Sequence, residues 1–172
     1  MNKIPFITAA HRVYLNESHL LGHAEATLPS IQFLTETVKG GGIAGEIEMP
    51  VLGMLQSMTA SIAWPVITPD VLTLTAPQTH SLTLRSSQQV HTPTTGVAET
   101  QPVAIRLKVM PKQSELGKFE DGSKTDTSME FEVLVMSVYI DNVELLHIDK
   151  LNSIFRVNAV DYLAAVRSDI GL

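Results

Sequence analysis

Hydrophobic and polar residues alternate along much of this chain, most clearly between Met129 and Ile140. Phe131, Val133 and Val135 fall on one face and Glu130 and Glu132 on the other. A period of two predicts a strand with one buried side. Beyond it Leu134, Met136, Val138 and Ile140 make both faces apolar, as in a strand covered on both sides. Asp141-Asn142 then interrupts the pattern, and VELLHIDKLNSIFRV returns. Asp and Asn tolerate the positive φ of tight hairpin turns, so a hairpin is predicted with its tip at this pair. The chain closes on RVNAVDYLAAVRSDIGL, with a short helix expected over YLAAVR and an apolar end that docks on the body or on a neighbour.

Earlier segments carry the same signal. VAIRLKVM (103–110) alternates, with Val103, Ile105, Leu107 and Val109 inward and Arg106 and Lys108 outward. Residues 79–91 and 27–39 also alternate, the latter led in by Pro29. Gly40-Gly41-Gly42 breaks any regular element. A phosphate cradle would need a following helix and a Lys, and IAGEIEMPVLG supplies neither; a bend between strands is the better reading. Over 43–64 the pattern divides. Val51, Leu55, Met58 and Ile62 recur at helical spacing, whereas Glu46 to Met49 alternate and Pro50 and Gly53 interrupt, so helix and hairpin both remain open. One helix start is well marked: Thr68 can cap, Pro69 suits the first turn and Asp70 favours the positive end, predicting a short helix over Pro69 to Thr75. Residues 1–26 read as an arm or a short strand, 91–102 as a loop, and 111–128 as a long polar loop. The sum is seven or eight strands with one or two short helices: a mainly β domain, a β-sandwich or split barrel with a helix on its flank, long loops and N- and C-terminal arms.

Composition narrows the function. The 172 residues suffice for one domain, 1–172, with its own core, and no linker or repeat divides it. Apolar residues at 44% against 17% charged exclude disorder. Without cysteine there is no disulfide, thiolate metal site or cysteine nucleophile. No long apolar run predicts a membrane anchor, and the N-terminal apolar stretch is too short for a signal peptide. A net charge of −6 disfavours tight binding to nucleic-acid phosphates. His19 and His23 stand four apart, but Gly22 interrupts the helix such a metal pair would need. Asn16-Glu17-Ser18 matches a glycosylation acceptor, relevant only to a secreted eukaryotic protein. No G-x-S-x-G or H-E-x-x-H is present, and no catalytic, cofactor-binding or metal residue is assigned.

The ending carries more. Ile148, Asp149, Asn152, Asn158, Val160, Asp161, Arg167, Ile170, Gly171 and Leu172 resemble, in identity and spacing, the C-terminal signature of major tail tube proteins of contractile-tailed bacteriophages and R-type pyocins. Thr27-Leu28-Pro29 followed by Gly40-Gly41-Gly42, and the polar loop with Gly117, Lys118 and Gly122, are similar to that family as well. The likeness is good over 27–49 and 112–172 and thin over 50–105. Departures are Ala159 at the family's turn glycine, Asp141-Asn142 at the hairpin tip and Val135-Met136 in place of a Tyr pair. Ala159 implies a turn conformation that a Cβ permits.

The resemblance implies a structural protein that forms hexameric rings, stacked into a tube inside a contractile sheath. Its implied partners are itself, the sheath, and baseplate, tape-measure and tail terminator proteins, with DNA passing through the lumen without specific binding. Its implied place is the virion tail tube, assembled in the host bacterial cytoplasm. A ring protein of a phage-derived bacteriocin or secretion apparatus, or a β-sandwich binding module, is the alternative. Under the resemblance, 43–64 become a strand pair turning near Gly53, with Ile43–Met49 and Met54–Trp64 lining or backing the lumen. Glu46 and Glu48 then share one face: an acidic bore that repels DNA, or else a solvated outer face or an intersubunit ion pair. Contacts between subunits or rings are expected at Gly40, Gly41, Gly42, Lys118, Asp121, Asp161, Arg167 and Leu172.

Overall fold

The computed structural model describes residues 4–42, 44–93 and 96–171. The chain is mainly β. In order it runs β1 (Ile4–Leu15), β2 (His19–Leu20), β3 (Glu25–Thr27), β4 (Phe33–Lys39), β5 (Glu46–Leu55), β6 (Thr59–Trp64), α1 (Pro69–Thr73), β7 (His80–His91), β8 (Ala98–Glu115), β9 (Thr127–Ile140), β10 (Val143–Asp149), β11 (Ile154–Val157), β12 (Val160–Asp161) and α2 (Ala164–Asp169).

One large antiparallel sheet is ordered β12-β11-β10-β9-β8-β7-β1-β2, with β6 and then β3 branching from β9. The branch exists because β9 has two neighbours on one edge. Its first half, 127–132, pairs β6, and its second half, 135–140, pairs β10, while β8 follows the opposite edge. The β8–β9 register slips between Lys108 and Val109, leaving Leu134 out of the ladder, and again between Pro111 and Gln113. Bulges of this kind bend and twist a sheet, and this one curls until β3 and β6 approach β1 and β2. Leu21 N–H donates to the Val13 carbonyl at 3.0 Å, the His11 Nε2 to the Ala24 carbonyl at 2.8 Å, and the Trp64 indole to the Leu21 carbonyl at 3.1 Å. These three bonds bridge the seam of a split barrel.

The core lies inside the curl. Phe131, Met58, Ile62, Leu82, Leu107 and Met129 are fully buried, and Val71 of α1 and Leu74, its C-cap, cover it from the flank. The opposite face of the sheet is polar. One cross-strand row runs Tyr14, Thr83, Arg106, Ser137, His147, Arg156 and Asp161 over seven strands. Arg106 lies over the Tyr139 ring at 4.9 Å and Arg85 over Tyr14 at 5.1 Å, so their aliphatic stems shelter the strands below.

Several expectations are met. Thr68 caps α1 by accepting from Val71 N–H, and Pro69 opens it. Asp141 and Asn142 have φ of 51° and 63°, the signature of a type I′ hairpin. Others are corrected. Strands reach further than alternation indicated. β8 runs through Pro111 to Glu115 because β9 pairs it that far, which shortens the predicted 111–128 loop to 116–126. Likewise β1 is a twelve-residue strand and not an arm, ordered by β7 along its length. Segment 43–64 forms two strands that do not pair with each other and do not turn at Gly53. β5 continues through Gly53 and pairs β4, whereas β6 pairs β3 and β9. The final helix starts two residues later than expected, at Ala164.

Ala159 is a further correction. Asn158 and Ala159 have φ of 49° and 66°, so the turn keeps a left-handed conformation despite the Cβ. An L residue there costs about 1–2 kcal/mol. Ala159→Gly is expected to raise unfolding stability by up to about 1 kcal/mol, part of the strain relief being offset by glycine's entropy in the unfolded chain. The chemical-denaturation midpoint measures this. Phe131→Ala, which empties the centre of the core, is expected to lose about 3–5 kcal/mol in the same assay.

Candidate functional site

Strands β4 and β5 form a separate two-stranded sheet that stands off the body. Both are exposed along nearly their whole length. The tip is Gly40-Gly41-Gly42, at φ of 97°, 56° and 93°, which joins Lys39 to the turn before Glu46; the triple glycine is thus the predicted bend between strands. Ile43 lies outside the described residues, as does Leu172.

The register sorts this hairpin into two faces. Val38 pairs with Ile47, and Glu36 with Met49, on one side; Lys39 pairs with Glu46, and Thr37 with Glu48, on the other. The first face is apolar except for Glu36, with Leu34, Val38, Ile47 and Met49 all open to solvent, Met49 at 51%. The second is polar, and it carries Glu46 and Glu48 together, on the opposite face from Ile47 and Met49 as alternation predicted. Lys39 Nζ meets Glu46 Oε1 at 3.0 Å, so Glu46 is neutralised across the strands. The acidity of this face rests on Glu48. An isolated two-stranded hairpin is marginal in water, and large exposed apolar patches mark interaction surfaces.

Near the body the ladder breaks. Phe33 pairs with Leu55, yet Thr35 already pairs with Pro50, so Val51 to Met54 bulge out of β5. The bulge brings Gly53, at φ 69°, against Leu163; a Cβ on Gly53 would lie 2.2 Å from a Leu163 methyl. Phe33 packs on Phe155 with ring centroids 5.6 Å apart. Around this joint Phe33, Leu52, Gly53, Phe155, Val157 and Tyr162 line an almost wholly apolar surface groove of about 230 Å³.

The C-terminal signature residues converge behind the joint. Asp149 caps the turn after β10: Oδ1 accepts from Leu151 N–H (2.9 Å) and Asn152 N–H (3.0 Å), and Oδ2 from the Asn152 amide (2.7 Å). Arg167 donates to Asp161 Oδ2 at 2.6 Å and to the Ser153 carbonyl at 2.8 Å, while Asp161 Oδ1 accepts from Leu163 N–H at 3.0 Å. Both predicted contact residues therefore make their strong bonds within the chain. Lys118 also pairs internally, with Glu120 at 2.8 Å, and Asp121 is exposed on the same loop. That loop presents Phe119, 91% exposed.

Alternation and charge did not reveal three features: the joint at Gly53, the Phe33–Phe155 contact, and the exposed Ile4, Phe6 and Ile7 of β1. A glycine inside a strand pattern signals a bulge or a close backbone approach, and Gly53 carried that signal. His19, the candidate ligand, meets Asp70 at 3.1 Å, and among the described residues no three His, Asp or Glu side chains are grouped to hold a metal ion. Neither helix is long and apolar enough to cross a membrane.

A curled β body that holds an amphipathic hairpin out in solvent defines a subunit built to associate. The chain belongs to the phage tail tube protein FII family, whose model matches residues 7–171. It is 28% identical over 165 residues to the tail tube protein of Escherichia phage P2, spanning 93% of this chain and 94% of that protein. Its fold is similar to two cryo-EM structures of an extracellular contractile injection system, both in the extended state. For the sheath/tube terminator the TM-score is 0.50 at 15% identity, over 79% of this chain and 96% of the other. For the sheath–tube complex it is 0.50 at 15%, over 81% and 93%. The protein's role is structural, as a tail tube subunit.

Acid should loosen the C-terminal cluster. The Arg167 guanidinium, with help from the Leu163 N–H, holds the Asp161 carboxyl below the usual aspartate range against a smaller opposing effect of burial. Burial pushes Asp149 up, but bonds from Asn152 and Leu151 more than offset it and leave it lowered as well. A lowered folded-state pKa contributes stability that is complete above the unfolded-state value and is lost as pH falls through the folded one. Unfolding midpoints are expected to fall as the pH drops below the ordinary aspartate value of about 4, and Asp161→Asn should flatten that dependence.

Proposed function

We propose that this chain forms hexameric rings that stack into the inner tube of a contractile tail, with the β4–β5 hairpin as its principal intersubunit element. The observation that carries this reading is the exposed apolar face of the hairpin, Leu34, Val38, Ile47 and Met49. A neighbouring copy that covers these residues removes apolar surface from water, at roughly 25 cal/mol per Å². It also gives a marginal two-stranded sheet the second layer it lacks. A head-to-tail contact of this kind, in which each hairpin covers part of the next copy, is satisfied in every subunit when the rotation closes into a ring.

With the apolar face against a neighbour, the polar face turns the other way. Glu46 and Glu48 then line or back the lumen. Because Lys39 offsets Glu46, the wall there is mildly acidic and not strongly so, sufficient to disfavour phosphate adhesion while DNA passes. The glycine tip, Gly40 to Gly42, and the 116–126 loop with Lys118, Asp121 and Phe119 are exposed and serve contacts between rings or to the sheath. The last helix completes the subunit surface. The sheath, baseplate, tape-measure and terminator proteins are the remaining partners, and the assembled tube resides in the virion after building in the host cytoplasm. The domain comprises the whole chain, 1–172.

The double variant Ile47→Lys, Met49→Lys puts two like charges into the apolar face without touching the core. It is expected to keep the parent's far-ultraviolet circular dichroism and unfolding midpoint but to form no rings or tubes by negative-stain microscopy. Tubes of normal yield and diameter from this variant would remove the hairpin from the interface.

A further inference from the structure

The hairpin stands on a joint, and the joint has an unusual construction. Three features of β4–β5 touch the body: Phe33 on Phe155, Gly53 under Leu163, and Leu55, at the foot of β5, against the core cluster. Between the first two lies an apolar groove of about 230 Å³, lined from both sides and open to solvent, with Leu52 and Tyr162 more than half exposed. Close packing is what fixes one element against another. A joint with an unfilled groove at its centre leaves the arm free to change its angle unless something else sets it.

That something is a closed ring of bonds around Leu163. Leu163 N–H donates to Asp161 Oδ1 at 3.0 Å, Arg167 N–H donates to the Leu163 carbonyl at 3.0 Å, and the Arg167 guanidinium returns to Asp161 Oδ2 at 2.6 Å. Arg167 is tied in turn to the Ser153 carbonyl, at the turn that leads into β11 and Phe155. Asp161 and Arg167 are only 16% and 23% exposed, so water competes weakly for these bonds. The Leu163 backbone is thereby fixed on both sides, and its side chain, 5% exposed, rests on Gly53 at a distance no other residue in that position would allow.

We infer that Asp161 and Arg167 form a latch that sets the angle of the β4–β5 arm through Leu163 and Gly53, so that the subunit meets its neighbour with the arm already aimed. They are positioning residues: neither needs to touch the neighbouring copy. A pre-aimed arm loses less conformational freedom on association than a swinging one. The inference deepens the assembly reading above, and it rests on that reading only for its consequence, not for the geometry of the latch.

The chain has no cysteine, so a label pair can be placed at will. Thr37→Cys on the arm and Gln89→Cys on β7 would carry spin labels, and pulsed dipolar spectroscopy would read their distance distribution in unassembled protein at low concentration. The parent is expected to give one narrow distribution. Arg167→Met should broaden it severalfold, and Arg167→Lys should restore part of the narrowing. Gly53→Ala should shift its mean. Circular dichroism and the unfolding midpoint, measured alongside, separate a freed arm from an unfolded body, and Leu163→Ala supplies a second route should Arg167→Met fail to fold. Distributions in folded Arg167→Met and Leu163→Ala as narrow as the parent's would overturn the latch. A broadened arm in a protein whose parent never forms tubes would leave the latch standing and sink the assembly reading. Parent tubes together with a narrow arm in both variants would do the reverse.

Discussion

Strand β9 is hydrogen-bonded along both edges for almost its whole length, and the rest of the fold hangs on that pairing. Since β6 and β10 share one edge, β9 must pass from one part of the sheet to another, and the bulge at Leu134 is where it does so. Inward-facing residues are odd-numbered before the bulge (Met129, Phe131, Val133) and even-numbered after it (Met136, Val138). A one-residue slip normally turns a buried face outward. Here the slip, combined with the bend, keeps both halves of β9 facing one core. The curl of the barrel, the seam at Leu21 and the burial of Met58 and Ile62 all follow from it.

A consequence is that the body satisfies its own apolar surface and the arm does not. The body has a buried cluster inside and a polar row outside, with arginines laid flat over tyrosines. The β4–β5 hairpin has an apolar face and nothing beneath it. The proposed assembly makes use of this division: a body with its own core and an arm whose apolar face a neighbour covers. Exposed strand edges and apolar faces are hazards in a monomer, and the assembly proposed for this tail tube FII family member covers them.

The joint at Gly53 links the two parts, and it also explains why the C-terminal residues are so specific in kind. Asp149, Asn152, Asp161 and Arg167 bond to one another and to the backbone of the chain end. A resemblance that rested on these residues invited the reading that they touch a neighbour. The structure gives them a nearer task, since carboxylate and guanidinium groups bonded at 2.6 to 3.0 Å inside one chain hold the turn, the helix start and Leu163 in register.

Local pattern by itself determined a good deal. Alternation placed β7, the centre of β8, and β9. Asp141-Asn142 marked its hairpin, Thr68-Pro69-Asp70 its helix, and the triple glycine its bend, since each depends on φ preferences or side-chain caps within a few residues. It also separated Glu46 and Glu48 from Ile47 and Met49. Tertiary structure decided what depends on distant partners. Strand ends were set by how far a neighbour's ladder extends, which is why β8 runs to Glu115 and β1 fills the supposed arm. The pairing of β5 with β4, and of β6 with β9, was open to alternation because Met and Leu at 51–62 fit either period. Ala159 kept a left-handed turn against its own preference because β11 and β12 hold it there. And Gly53, visible in the sequence only as an interruption, became a joint when Leu163, more than a hundred residues away, came to rest on it.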